Sequence, residues 1–98
     1  MITREEAMQR LAALEPELRA EGIGAVYLFG SAARGEAGEG SDIDVLIDDV
    51  RQTFSLFDFL RIKRRLTEWL GVETDLVTRK GIWPPIRGSI EADIVRVF

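Results

Sequence analysis

A small α+β fold, with a mixed β-sheet flanked by helices, is predicted by three observations on this sequence. Two long segments, residues 4–20 and 53–70, carry apolar residues at helical spacing. Four short apolar runs, at 25–29, 42–47, 72–78 and 94–98, suit strands. Glycine or proline stands at most of the junctions between them. The 98 residues are expected to form one domain, 1–98, with room for a single hydrophobic core.

The elements follow in order. Thr3-Arg4-Glu5-Glu6 reads as a capping box, and Ala7, Met8, Leu11, Leu14 and Leu18 continue at helical spacing behind it. Pro16 falls inside that pattern and is expected to kink the helix or restart it. After Gly22 and Gly24, Ala25 to Phe29 is a buried strand entering a Gly-Ser turn. Glu36 to Ser41, with Gly38 and Gly40, reads as a loop, and Asp42 to Ile47 as the second strand. Its alternation sends Ile43, Val45 and Ile47 to one face and Asp42 and Asp44 to the other.

In the second long helix, Leu56, Phe59, Leu60, Leu66 and Trp69 read as core, and Arg61, Lys63, Arg64 and Arg65 as a solvated face. Gly71 is placed to stop this helix in a left-handed cap. Val72 to Thr78 is the third strand. Trp83-Pro84-Pro85-Ile86 fits a core plug better than a docking segment; a short helix over Ile86 to Asp93 and a strand over Ile94 to Phe98 close the chain.

Composition removes several function classes. Apolar residues make up 46%, which suits an ordinary globular protein. No run approaches the roughly 20 apolar residues of a membrane span, and the start reads as a capped helix rather than a signal peptide, so a cytoplasmic location is expected. Cysteine and histidine are both absent. Disulfides and thiolate sites are excluded, and any acid–base or metal chemistry must run on carboxylates. A formal net charge of -4 argues against direct nucleic-acid binding.

Asp42 and Asp44, two apart on a strand, project side by side. Two carboxylates about 4 Å apart repel by roughly 1 kcal/mol in water and about 4 kcal/mol at a protein surface. A hard divalent cation offsets that repulsion, and Mg²⁺ characteristically takes one or two carboxylates together with substrate phosphates. Asp75, from the third strand, is placed to complete a two-metal site for displacement at phosphorus. It is also the best candidate to accept a proton from an attacking hydroxyl. Taken alone, Asp-x-Asp is more often a solvated strand entrance.

Gly30 leaves the first strand without side-chain bulk, and Ser31 offers a hydroxyl where a helical turn can begin. Such a turn binds phosphate through amides of positive partial charge, and Arg34 is placed to add a charge-assisted bond. An ordinary strand-to-helix corner explains Gly-Ser equally well in isolation. Arg79 and Lys80 are further cations near the third strand, for which a solvated loop is the plainer reading.

Together the segments Leu28-Phe29-Gly30-Ser31-Ala32-Ala33-Arg34-Gly35-Glu36-Ala37 and Ser41-Asp42-Ile43-Asp44-Val45-Leu46-Ile47 resemble a minimal nucleotidyltransferase (MNT) domain of the DNA polymerase β-like superfamily. The shared pattern is Gly-Ser, ten residues, then Asp-x-Asp. The resemblance covers nearly the whole chain and implies a nucleotidyltransferase (polymerase β palm-like) fold using ATP and Mg²⁺. It implies that Gly30, Ser31 and Arg34 serve the triphosphate, and that Asp42, Asp44 and Asp75 hold metal and form the catalytic set. Stand-alone domains of this size resemble antitoxins of HEPN-domain ribonuclease toxins, which transfer AMP to a tyrosine hydroxyl of the toxin in a hetero-oligomer. One departure is Ala32, where many members carry arginine.

Two alternatives stay open beside that enzyme. One is a non-catalytic antitoxin that binds and masks its HEPN partner. The other is nucleotide transfer to a small molecule, disfavoured because the helical domain that shapes such acceptor sites is missing from this sequence.

Overall fold

The computed structural model describes residues 2–33, 42–50, 54–82 and 84–98. Helix α1, Arg4–Ala13, starts at the expected cap with one half of the box, the Thr3 hydroxyl accepting from the Glu6 amide at 3.1 Å. Of the two outcomes expected at Pro16, a kink or a restart, the structure shows the restart. Leu14 closes α1 and opens α2, Glu15–Ala20, with Pro16 in the first turn, where its missing N–H costs nothing.

The four strands are β1, Ile23–Phe29; β2, Ile43–Asp49; β3, Thr74–Thr78; and β4, Val95–Arg96. Their order across the sheet is β3-β2-β1-β4. β1 runs antiparallel to both β2 and β4, while β2 and β3 are parallel, so the sheet is mixed. A parallel pair needs a crossover, and helix α4, Leu56–Leu70, supplies it. Between β1 and β2 lies the one-turn helix α3, Gly30–Ala33. Helix α5, Pro84–Ala92, begins two residues earlier than the sequence suggested, and β4 is shorter than the expected strand.

The core lies on one face of the sheet. Ala7 and Leu11 of α1, Leu18 of α2, and Ile62, Leu66 and Leu70 of α4 bury against Val26, Leu28, Ile43, Val45, Ile47 and Leu76. Alternation then commits the other face to Tyr27, Phe29, Asp44, Leu46, Asp48 and Asp75. Among the described residues that face carries none of α1, α2 and α4, yet Leu46 on it is fully buried, and Arg79, paired with Glu91 of α5, lies over Tyr27.

Helix α4 departs most from expectation. Ile62, Leu66 and Leu70 form its buried stripe, but Leu56 is 68% and Leu60 51% exposed, so neither is core. Trp69 is 40% exposed and acts as a clasp, its indole N–H donating to the Arg10 carbonyl at 2.8 Å while Arg10 donates to the Leu70 carbonyl at 3.0 Å. The basic run is not free either. Arg61 pairs with Glu21 and Asp58, Arg64 with Glu68, and Arg65 with Glu17, which ties α4 to α2. Pro84, Pro85 and Ile86 are exposed and plug no core; Trp83 lies outside the described residues.

Candidate active site

The open face gathers the acidic residues through strand register. Asp44 sits opposite Phe29 in the antiparallel ladder and beside Asp75 in the parallel one. Neighbouring strands lie about 4.8 Å apart, so the Asp44 and Asp75 side chains leave the sheet as lateral neighbours. The Ile43 amide donates to the Glu73 carbonyl at 3.0 Å, which locks the two strand entrances together. The Thr74 amide donates to the Thr67 hydroxyl at 3.3 Å, so α4 sets where β3 begins. Asp42 immediately precedes β2, on the side of Asp44. Asp44 is half-buried, whereas Asp42 and Asp75 are exposed.

Gly30 meets this cluster directly. Its φ of 67° lies in the left-handed region that side chains disfavour, and a Cβ built on it would collide with the Asp44 carboxylate. The absent side chain thus lets the Asp44 carboxylate lie directly against the turn. Helix α3 then anchors itself through Ala33, which is buried in the core. Its last carbonyl accepts from the Arg4 guanidinium at 3.2 Å. Sequence reading missed Arg4 in this role, because the contact spans 29 positions and follows no local spacing. The Ser31 side chain and the whole of Arg34 lie outside the described residues.

Among the described residues no three acidic side chains converge closely enough to hold a metal ion. The fit of a cation is therefore judged on the Asp44–Asp75 pair, with Asp42 beside it. The donor set is all carboxylate oxygen, and two carboxylates plus phosphate oxygens are what Mg²⁺ accepts. The residues present fit that ion.

Arg79 and Lys80 do not join the site. They follow the far end of β3, while Asp75 stands near its start. Arg79 instead pairs with Asp48 at 3.3 Å and Glu91 at 3.4 Å, and Lys80 with Asp49 at 3.6 Å. A 420 Å³ cavity at that end, lined by Asp49, Ser55, Leu56, Thr78 and Lys80 among others, is also separate from the carboxylates. Asp49 points to the helix side of the sheet, opposite to Asp44 and Asp48. Among the described residues no helix is long and apolar enough to cross a membrane.

Comparison with known proteins bears on the family and the fold. The profile of the nucleotidyltransferase domain matches residues 11–97. A relative from Thermococcus cleftensis, the protein adenylyltransferase MntA, is 36% identical over 99% of this chain and 98% of its own length. A solved structure described as a candidate minimal nucleotidyltransferase superposes with a TM-score of 0.82 at 34% identity, covering 97% of this chain and 95% of that one. The fold also matches, with a TM-score of 0.71 at 18% identity, a structure of the tri-AMPylated Shewanella oneidensis HEPN toxin in complex with MNT antitoxin. That match covers 97% of this chain and 71% of the other.

Proposed function

The chain belongs to the nucleotidyltransferase domain family, and we propose that it is a protein adenylyltransferase that moves AMP from ATP to a tyrosine hydroxyl of a HEPN-domain toxin, as that toxin's antitoxin. The observation that carries this reading is the register that puts Asp44 beside Asp75 on an open sheet face, against a glycine turn with no side chain in the way. The relative that spans this chain almost end to end is a protein adenylyltransferase, which supports the same reaction. The acceptor and the toxin partner rest on the resemblance and on the fold this chain shares with one chain of the HEPN–MNT complex.

The chain's own residues then divide the work. The α3 amides, the Ser31 hydroxyl and Arg34 hold the β- and γ-phosphates, and Gly30 lets them approach Asp44. Asp44 and Asp75, with Asp42 beside them, would hold Mg²⁺, which would offset their mutual repulsion and supply positive charge to the phosphate oxygens. The tyrosine oxygen attacks the α-phosphorus, the bond to the bridging oxygen of diphosphate breaks, and Asp75 takes the hydroxyl proton.

One observation favours masking as a second reading. Leu56, Phe57 and Leu60 leave an exposed apolar surface at the start of α4, and such surfaces commonly meet a partner. Intact mass spectrometry of the chain mixed with ATP, Mg²⁺ and its HEPN partner separates the two. An AMP-sized gain on the partner that disappears with Asp42→Asn or Asp44→Asn is expected. A complex that forms, and protects, without any gain in mass would instead establish masking.

A further inference from the structure

The roles above account for the phosphates of ATP and leave its nucleoside without protein contacts. The same face continues past the carboxylates to the fully buried Leu46 and, beside it, the half-buried Tyr27 and exposed Arg96. Phe29 stands opposite Asp44; two residues back along β1, on the same face, Tyr27 stands opposite Leu46 on one side and Arg96 of β4 on the other. Tyr27 is the only tyrosine in the sequence. The Arg96 guanidinium lies 5.9 Å from its ring centroid and that of Arg79 lies 5.0 Å away. Arg79 is half-buried and engaged by Asp48 and Glu91. Arg96 is exposed, and Tyr27 is half-buried beneath it.

The covalent order of ATP selects a direction. With the β- and γ-phosphates at the turn that starts at Gly30, and the α-phosphate at Asp44 and Asp75, ribose and base must extend away from the turn. Along β1 that direction leads from Phe29 to Tyr27. Diagonal neighbours in an antiparallel pair stand about 7–8 Å apart, a separation that a ribose bridges between phosphate and purine. Aromatic rings and guanidinium planes are the surfaces on which nucleobases stack.

We propose that Tyr27 and Arg96 form the platform for the adenine of ATP. The proposal rests on the nucleotide reading of the previous subsection and adds the subsite that recognises the base. Two features suit it to a base rather than to phosphate: the ring contributes a π-face with no charge, and the pair stands on the far side of the carboxylates from the turn.

The test is isothermal titration of Mg·AMP-PNP and of Mg·tripolyphosphate into wild type, Tyr27→Leu, Tyr27→Phe and Arg96→Ala. Losing a stacking partner should weaken AMP-PNP binding about tenfold in Tyr27→Leu and Arg96→Ala. Tyr27→Phe, which keeps the ring, should bind as wild type does. Tripolyphosphate, having no base, should bind all four proteins equally. Arg96 is exposed, so Arg96→Ala carries the test if Tyr27→Leu fails to fold. Unchanged AMP-PNP affinity in Arg96→Ala, or equal losses for both ligands, overturns the platform alone. A wild-type protein that binds neither ligand overturns the nucleotide reading and the platform with it.

Discussion

Gly30 shows how much a single position decides. Its left-handed backbone and its closeness to Asp44 leave no room for a methyl group. Gly30→Ala should lose about 1–2 kcal/mol from the left-handed conformation alone. The collision adds a displaced Asp44, so both the melting temperature and AMP-PNP affinity should fall; an unchanged titration would remove Gly30 from the site. From the sequence, Gly30 was legible as a residue that had to be small. The reason, a carboxylate from the next strand, was not, since it depends on which residue of β2 pairs with Phe29. Arg4 makes the same point. Its bond to Ala33 joins the first turn of α1 to the end of α3, and nothing in the local pattern announces it.

At the level of elements, helix α4 was legible in its stripe and its end, and less so in its start. Gly71 stops it with a φ of 74°, its amide bonding to the Thr67 carbonyl, as the sequence implied. The start is a capping box that Ser55 forms with Asp58, two residues beyond the expected Thr53, which lies outside the described residues. Helical periodicity marks apolar positions without saying which of them the sheet can cover, so Leu56 and Leu60 read as core but stand in solvent. Ser55→Ala should cost about 1 kcal/mol, roughly 4–8 °C of melting temperature in a domain of this size. The box also carries a pH dependence. Hydrogen bonds from the Ser55 amide, then from its hydroxyl, and the neighbouring Arg61 hold Asp58 below the ordinary carboxylate value. Its stabilisation is therefore present above the unfolded value near 4 and is lost as pH falls through the lower folded one. Asp58→Asn should melt below wild type at about pH 6, and the gap should close towards about pH 2.

Across the whole molecule, the four strands and the mixed sheet could be anticipated from apolar runs, while the choice of open face could not. Alternation alone assigns Asp42 and Asp44 to one side of β2; only packing of α1, α2 and α4 on the other side shows that theirs is the face those helices leave uncovered. Stability and function then pull against each other there. In metal-free buffer Asp75→Asn should melt at or above wild type, because it removes a like-charge neighbour of Asp44. Mg²⁺ should raise the melting temperature of wild type by binding the native state, and should not raise that of Asp44→Asn. The parallel pairing of β2 with β3 also bears on how the protein reaches its native state. Asp44 and Asp75 become neighbours only after the chain has closed the long loop containing α4, and such non-local pairings form slowly. A partly folded chain with β1, β2 and the first helices in place would lack the ligand pair. On the proposed function, competence to bind the cation would thus be acquired only once β2 and β3 have paired, and Mg²⁺ would act as a brake on unfolding rather than as a guide to the fold.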